Sequence, residues 1–157
     1  MIAEVTALLH EAYAQHLADG LDFSAATQDN ETTHSRLTSA TALIGFREDL
    51  VVATGLIYEH LLARPGLPPW FSQKDVSVVA QLAVSPALQG QGIGSELLEI
   101  LERQAKDWGK LHLALDTAEP AHDLVRFYKN RGYATVDHFR YSGASFRHII
   151  LSKALTH

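Results

Sequence analysis

Apolar residues recur at helical spacing from the start of the chain. Ile2, Val5, Leu8, Leu9, Ala12, Tyr13 and Leu17 share one face, with Glu4, Glu11 and Gln15 on others, which predicts an amphipathic helix. Residues 19–29 are polar and contain glycine, and Asp29 or Asn30 caps a short second helix through Arg36. Thr41 to Phe46 and Leu50 to Tyr58 are rich in β-branched and apolar residues, so the Glu48-Asp49 pair between them predicts an antiparallel hairpin. Gly55 marks a bulge or a close backbone approach. Residues 61–73 carry three of the five prolines and a glycine, which break helix and strand ladders alike and predict a loop.

Asp75 to Val84 is a nearly continuous apolar run, and such a run suits a strand buried on both faces and therefore central in its sheet. A glycine cluster follows Pro86, then a helix with Ile93, Leu97, Leu98, Leu101, Ala105 and Trp108 as its apolar stripe. Glu99 with Arg103 and Glu102 with Lys106 form i,i+4 pairs on the wet side. Leu111, Leu113 and Leu115 alternate with His112, Ala114 and Asp116 in a strand beyond the helix stop at Gly109. Pro120 suits the first turn of a further helix, whose Leu124, Val125 and Tyr128 share a face before Gly132 ends it. Tyr133 to Phe139 and Phe146 to Leu151 read as two closing strands. The order α, α, β, β, β, α, β, α, β, β predicts an α/β (α+β) architecture, a mixed sheet with helices on its faces.

Composition narrows the chemistry. A length of 157 residues suits one domain across residues 1–157, and no run approaches the roughly 18 apolar residues of a membrane helix, so a cytoplasmic protein is expected. With no cysteine, thiolate nucleophiles, Fe–S clusters and cysteine zinc sites are excluded. Thirteen Lys+Arg against 18 Asp+Glu give a formal net charge of -5, which argues against nucleic acid or an acidic membrane as partner. The nine histidines are scattered and none forms HExxH, so no metal site is indicated.

The sharpest feature is Gln89-Gly90-Gln91-Gly92-Ile93-Gly94, set between a buried strand and an amphipathic helix. Glycines here allow φ > 0 and bare N–H groups, and the helix start adds its positive dipole end, a combination that cradles phosphate. A tight strand-to-helix turn would need the same small residues. The spacing is neither the P-loop GxxxxGK[ST] nor the dinucleotide GxGxxG.

These residues resemble the GCN5-related N-acetyltransferases (GNAT). The family motif Q/R-x-x-G-x-G/A is matched by Gln89, Gly92 and Gly94, after Leu82-Ala83-Val84-Ser85-Pro86. Phe127-Tyr128-Lys129-Asn130-Arg131-Gly132-Tyr133 is similar to the family's second hallmark, one helix and one strand further on. The match covers residues 75–153, about half the chain. The resemblance implies a mixed, mostly antiparallel central sheet splayed at the cofactor site, with helices on both faces. It implies acetyl-CoA as cosubstrate, its pantetheine pairing with the backbone of Leu82, Ala83 and Val84. The pyrophosphate would lie on the N–H groups of Gln89, Gly90, Gln91, Gly92, Ile93, Gly94 and Ser95.

The reaction so implied is acetyl transfer to a primary amine of a small molecule or peptide, with Tyr128 as general acid to the CoA sulfur. A core tyrosine is the alternative reading of Tyr128. Val78 and Ala80 stand where some family members carry a basic Glu or His, and neither accepts a proton. Glu59 is the first substitute, acting directly or through water, followed by His60, His112 and Asp116. Ala121 replaces an asparagine that often contacts the cofactor, and no strand precedes the first helix. Trp70 and Phe71 form either an aromatic wall for the acceptor or a pin for the long loop. The closing strands 133–151 offer an edge of the kind family members use for homodimers. Two other classes stay open: an acyl-CoA-binding sensor with weak or no turnover, and a nucleotide-phosphate-binding protein.

Overall fold

The N-terminal apolar stripe forms α1 (Ile2–Ala18), burying Val5, Thr6, Leu8 and Leu9 in a computed structural model that describes residues 1–62 and 64–156. Asp29 is the cap of α2 (Asn30–Ser39), its carboxylate accepting from the Thr32 N–H at 2.8 Å. That bond holds the Asp29 carboxyl below its usual range. The hairpin follows as β1 (Thr41–Arg47) and β2 (Leu50–Tyr58), paired antiparallel. Glu48 and Asp49 both take left-handed φ, 50° and 68°, as the tightest two-residue hairpin turns require. The register of β1 with β2 shifts between Gly45 and Phe46. A Cβ on Gly45 would stand 3.2 Å from the Ala53 Cβ, a close approach of the two strands.

The apolar run forms β3 (Val76–Val84), with residues 76–79 buried in succession, as expected of a strand covered on both faces. Then come α3 (Ile93–Asp107), β4 (His112–Ala118), α4 (His122–Lys129), β5 (Ala134–Phe139) and β6 (His148–Ala154). Leu111 lies outside β4 and is exposed, while Leu113, Ala114 and Leu115 are all buried, so β4 is a covered strand rather than an alternating one. Pro120 stands ahead of α4 rather than inside it. The six strands follow the order β1-β2-β3-β4-β6-β5; β1 with β2, β4 with β6 and β5 with β6 are antiparallel, and β3 with β4 is parallel. That parallel register opposes Val76–Val78 to His112–Ala114. Among the described residues no helix is long and apolar enough to cross a membrane.

The chain divides into two compact units, Met1–Ile57 with Ala80–Ile100, and Tyr58–Val79 with Leu101–His157. In the first, Val5, Leu9, Ala25 and Ala83 form a buried cluster flanked by Tyr13, Leu37, Ile44 and Val51. In the second, Leu61, Phe71, Val76, Val78, Ala114 and Ile150 pack together, with Trp70 and Phe139 against them. Each cluster joins helix, loop or strand positions far apart in sequence, so each unit carries its own apolar core.

Candidate active site

The glycine loop belongs to the first unit. As the chain leaves β3, the Ser85 N–H donates to the Val52 carbonyl at 2.8 Å, and a single 3-10 turn over Pro86–Leu88 redirects it. Gly90 and Gly92 then take φ of 81° and 84°. No atom lies within 4 Å of a Cβ placed on either, so backbone conformation, not crowding, asks for glycine there. The Glu96 N–H closes the first turn of α3 on the Gly92 carbonyl at 3.0 Å. The N–H groups at the start of α3 carry the positive end of the helix, which is the geometry of an anion cradle.

Just upstream, β3 departs from strand geometry at Gln81, whose φ is 53°. A side chain in the left-handed region inside a strand is unusual, and it re-aims the peptide groups that follow. Of those, Ala83 is buried in the Val5–Leu9 cluster. The Leu82 carbonyl accepts from the Tyr13 hydroxyl at 3.1 Å, and the Val84 carbonyl from Gln89 Nε2 at 3.4 Å. Gln89 thus turns back onto the strand end, while Gly90, Gln91 and Gly92 are exposed and Ile93, Gly94 and Ser95 are half-buried in the first turn of α3.

The other candidates belong to the second unit. Tyr128 is buried on α4, its ring edge-on to Phe127 at 5.1 Å and to Tyr133 at 6.0 Å between centroids. Glu59 is exposed just beyond β2, and its backbone carbonyl accepts from Ser77 Oγ at 2.9 Å. Ala121, at the start of α4, is buried. Trp70 donates from Nε1 to Ser152 Oγ at 3.0 Å and meets the His112 ring edge-on, while Phe71 is buried, so this aromatic pair pins the loop.

Three carboxylates of this unit have partners that local spacing does not show. Glu102 is buried and accepts from Tyr133 Oη at 3.0 Å and Lys153 Nζ at 2.9 Å, which corrects the expected exposed pair with Lys106. Burial and the Glu102 charge push the Tyr133 hydroxyl well above the usual phenol range. Asp116 Oδ2 accepts from Tyr141 Oη and from His148 Nδ1, both at 2.8 Å. The His148 ring is stacked on Phe146 and edge-on to Tyr141. Burial, then Asp116, raises the Tyr141 hydroxyl, which therefore stays protonated as a donor. With Nδ1 bonded to a carboxylate, the His148 ring is fixed in orientation by Asp116. Glu119 takes a forked pair of bonds from Arg147 at 2.6 and 2.9 Å and one from His138 at 3.1 Å. The Arg147 bond in particular holds its carboxyl down to about 2.

A model of the acetyltransferase (GNAT) family matches residues 5–133. Over 69 residues the chain is 36% identical to an aminoalkylphosphonate N-acetyltransferase of Salmonella typhimurium; the match spans 44% of this chain and 44% of that relative, less than half of either length. Among solved structures, the ribosomal-protein-S18-alanine N-acetyltransferase of Escherichia coli superimposes with a TM-score of 0.72 over 99% of this chain and 88% of its own, at 16% identity. A GNAT family acetyltransferase from Elizabethkingia anophelis with acetyl-CoA bound gives 0.63 over 81% and 84%, at 18% identity. At such identities the likeness is one of fold.

Proposed function

Since the chain belongs to the GNAT acetyltransferase family, we propose that residues 1–157 act as one acetyl-CoA-dependent N-acetyltransferase domain whose acceptor is a primary amine of a small molecule or peptide. The observation that carries the donor half is the pair of left-handed glycines, Gly90 and Gly92, opening directly into α3. Backbone N–H groups from Gln89 through Ser95 hold the pyrophosphate, and the backbone of Leu82, Ala83 and Val84 pairs with the pantetheine. Two named relatives act on an aminoalkylphosphonate and on a ribosomal-protein alanine, so both acceptor classes occur in proteins similar to this one.

The transfer needs a neutral amine, a held thioester and a proton for the leaving sulfur. As the amine nitrogen bonds to the thioester carbon and the carbon–sulfur bond breaks, Tyr128 gives its phenolic proton to the sulfur. Glu59 takes the proton lost by the amine, directly or through a water. A second reading of the base is favoured by one contact. His148, whose Nδ1 is held by Asp116, is the second candidate to take the same proton. The edge of β5, last in the strand order, is the surface we assign to a second copy of the chain.

The test is acetyl-CoA binding by calorimetry, with turnover followed as release of free CoA over a panel of amines. Wild type should bind at micromolar level. Tyr128→Phe should bind within about twofold of wild type while turnover falls about 10²–10⁴-fold, the usual contribution of a general acid. Binding with no turnover on any amine would favour the acyl-CoA sensor. No binding would remove the donor site altogether.

A further inference from the structure

The left-handed turn of Gln81 inside β3 is a conformation disfavoured for any side chain, so the surroundings must hold it there. Its anchor is visible. Gln81 Nε2 donates to Gln28 Oε1 at 2.7 Å, and Gln28, buried at 7% exposure, has every polar end engaged. Its Nε2 donates to Thr33 Oγ1 at 2.9 Å, and its backbone carbonyl accepts from His10 Nε2 at 2.7 Å. Thr33 is buried in turn against Thr6 Oγ1 of α1 at 2.7 Å and donates to the Asp29 carbonyl. One residue beyond Gln81, α1 makes a second attachment: Tyr13 Oη donates to the Leu82 carbonyl at 3.1 Å.

A buried side-chain amide costs stability unless it is fully bonded, and apolar packing would join α1 and α2 to the strand at less risk. What the amide adds is direction. Gln28 fixes the side chain of the left-handed residue, and Tyr13 fixes the plane of the next peptide. The residues so oriented, Leu82 to Val84, are those assigned above to pair with the acyl donor. We propose that Gln28 and Tyr13 are positioning residues that hold the left-handed turn of β3 at Gln81 in the form whose backbone receives the amide-bearing arm of the acyl-CoA. This inference rests on the donor site of the preceding subsection.

Two probes separate the arm from the phosphates in calorimetry: acetyl-CoA, and adenosine 3′,5′-bisphosphate, which lacks the arm. Tyr13→Phe and Gln28→Leu should each weaken acetyl-CoA about tenfold and leave the bisphosphate within twofold. Because glycine adopts φ > 0 without an anchor, adding Gln81→Gly to Gln28→Leu should restore most of the lost affinity. Tyr13→Phe removes a single oxygen and keeps the ring, so it carries the test if Gln28→Leu does not fold. Unchanged acetyl-CoA affinity in Tyr13→Phe and Gln28→Leu, or equal weakening of both probes, would overturn the positioning role while leaving the donor site standing. A wild-type protein that binds neither probe would overturn the donor site and this inference together.

Discussion

The two units hold polar groups in opposite ways. Around β3 in the first unit, the network of Tyr13, Gln28, Thr33, Thr6 and Gln81 is neutral, and its product is a main-chain shape. In the second, Glu102, Asp116 and Glu119 each gather at least two donors, and what is stored there is charge. The difference separates two kinds of sensitivity. A site made of backbone answers to φ and hydrogen-bond direction, whereas one made of carboxylates answers to which partner is removed and at what pH.

The sharpest test within the charged unit is a choice of base. Asp116→Asn should lower kcat about 10²–10⁴-fold if His148 takes the amine proton, with acetyl-CoA affinity retained. Glu59→Gln should do so if Glu59 does. Equal, small effects of both would blur the contrast between the units. Next in size, Glu102→Leu strands the Tyr133 hydroxyl and the Lys153 ammonium together, and stability measured by urea unfolding should drop by about 3 kcal/mol. The smallest effect belongs to the surface. The Glu119 carboxyl is held down to about 2 from a model-peptide value near 4.5, so the folded chain binds this proton less readily than the unfolded one. Its stabilisation is complete above about pH 4.5 and lost as the pH falls towards 2. Arg147→Gln should therefore shrink the pH dependence of the urea midpoint within that window and change little near neutrality.

Most elements of the fold were legible because their signals are local. The stripe from Ile2 to Leu17, the Glu48-Asp49 turn and the Gly90–Gly92 cluster need only neighbours a few positions away. The misreadings arose where local and distant partners compete. Glu102 looks paired with Lys106 one turn on, but Tyr133 and Lys153 reach it from 31 and 51 residues away. The register shift beside Gly45, where the hairpin passes Ala53, carries no mark of its own in the sequence either. At the site, the glycine loop announced itself, while Gln81 did not, since nothing in VSVVAQLAV distinguishes a glutamine in extended backbone from one at φ 53°. His148 likewise shows no motif with Asp116, 32 positions earlier, because the pairing of β4 with β6 creates it.

Both tryptophans, Trp70 and Trp108, lie in the second unit, and the first unit has none. Trp70 is tethered at its indole nitrogen to Ser152 and meets the His112 ring edge-on at 5.4 Å. Tryptophan fluorescence therefore arises in the carboxylate-bearing unit, and the glycine loop's own unit carries no tryptophan. A tryptophan introduced beside that loop, at exposed Ala87, would give each unit its own colour of signal once Trp70 and Trp108 are replaced by phenylalanine.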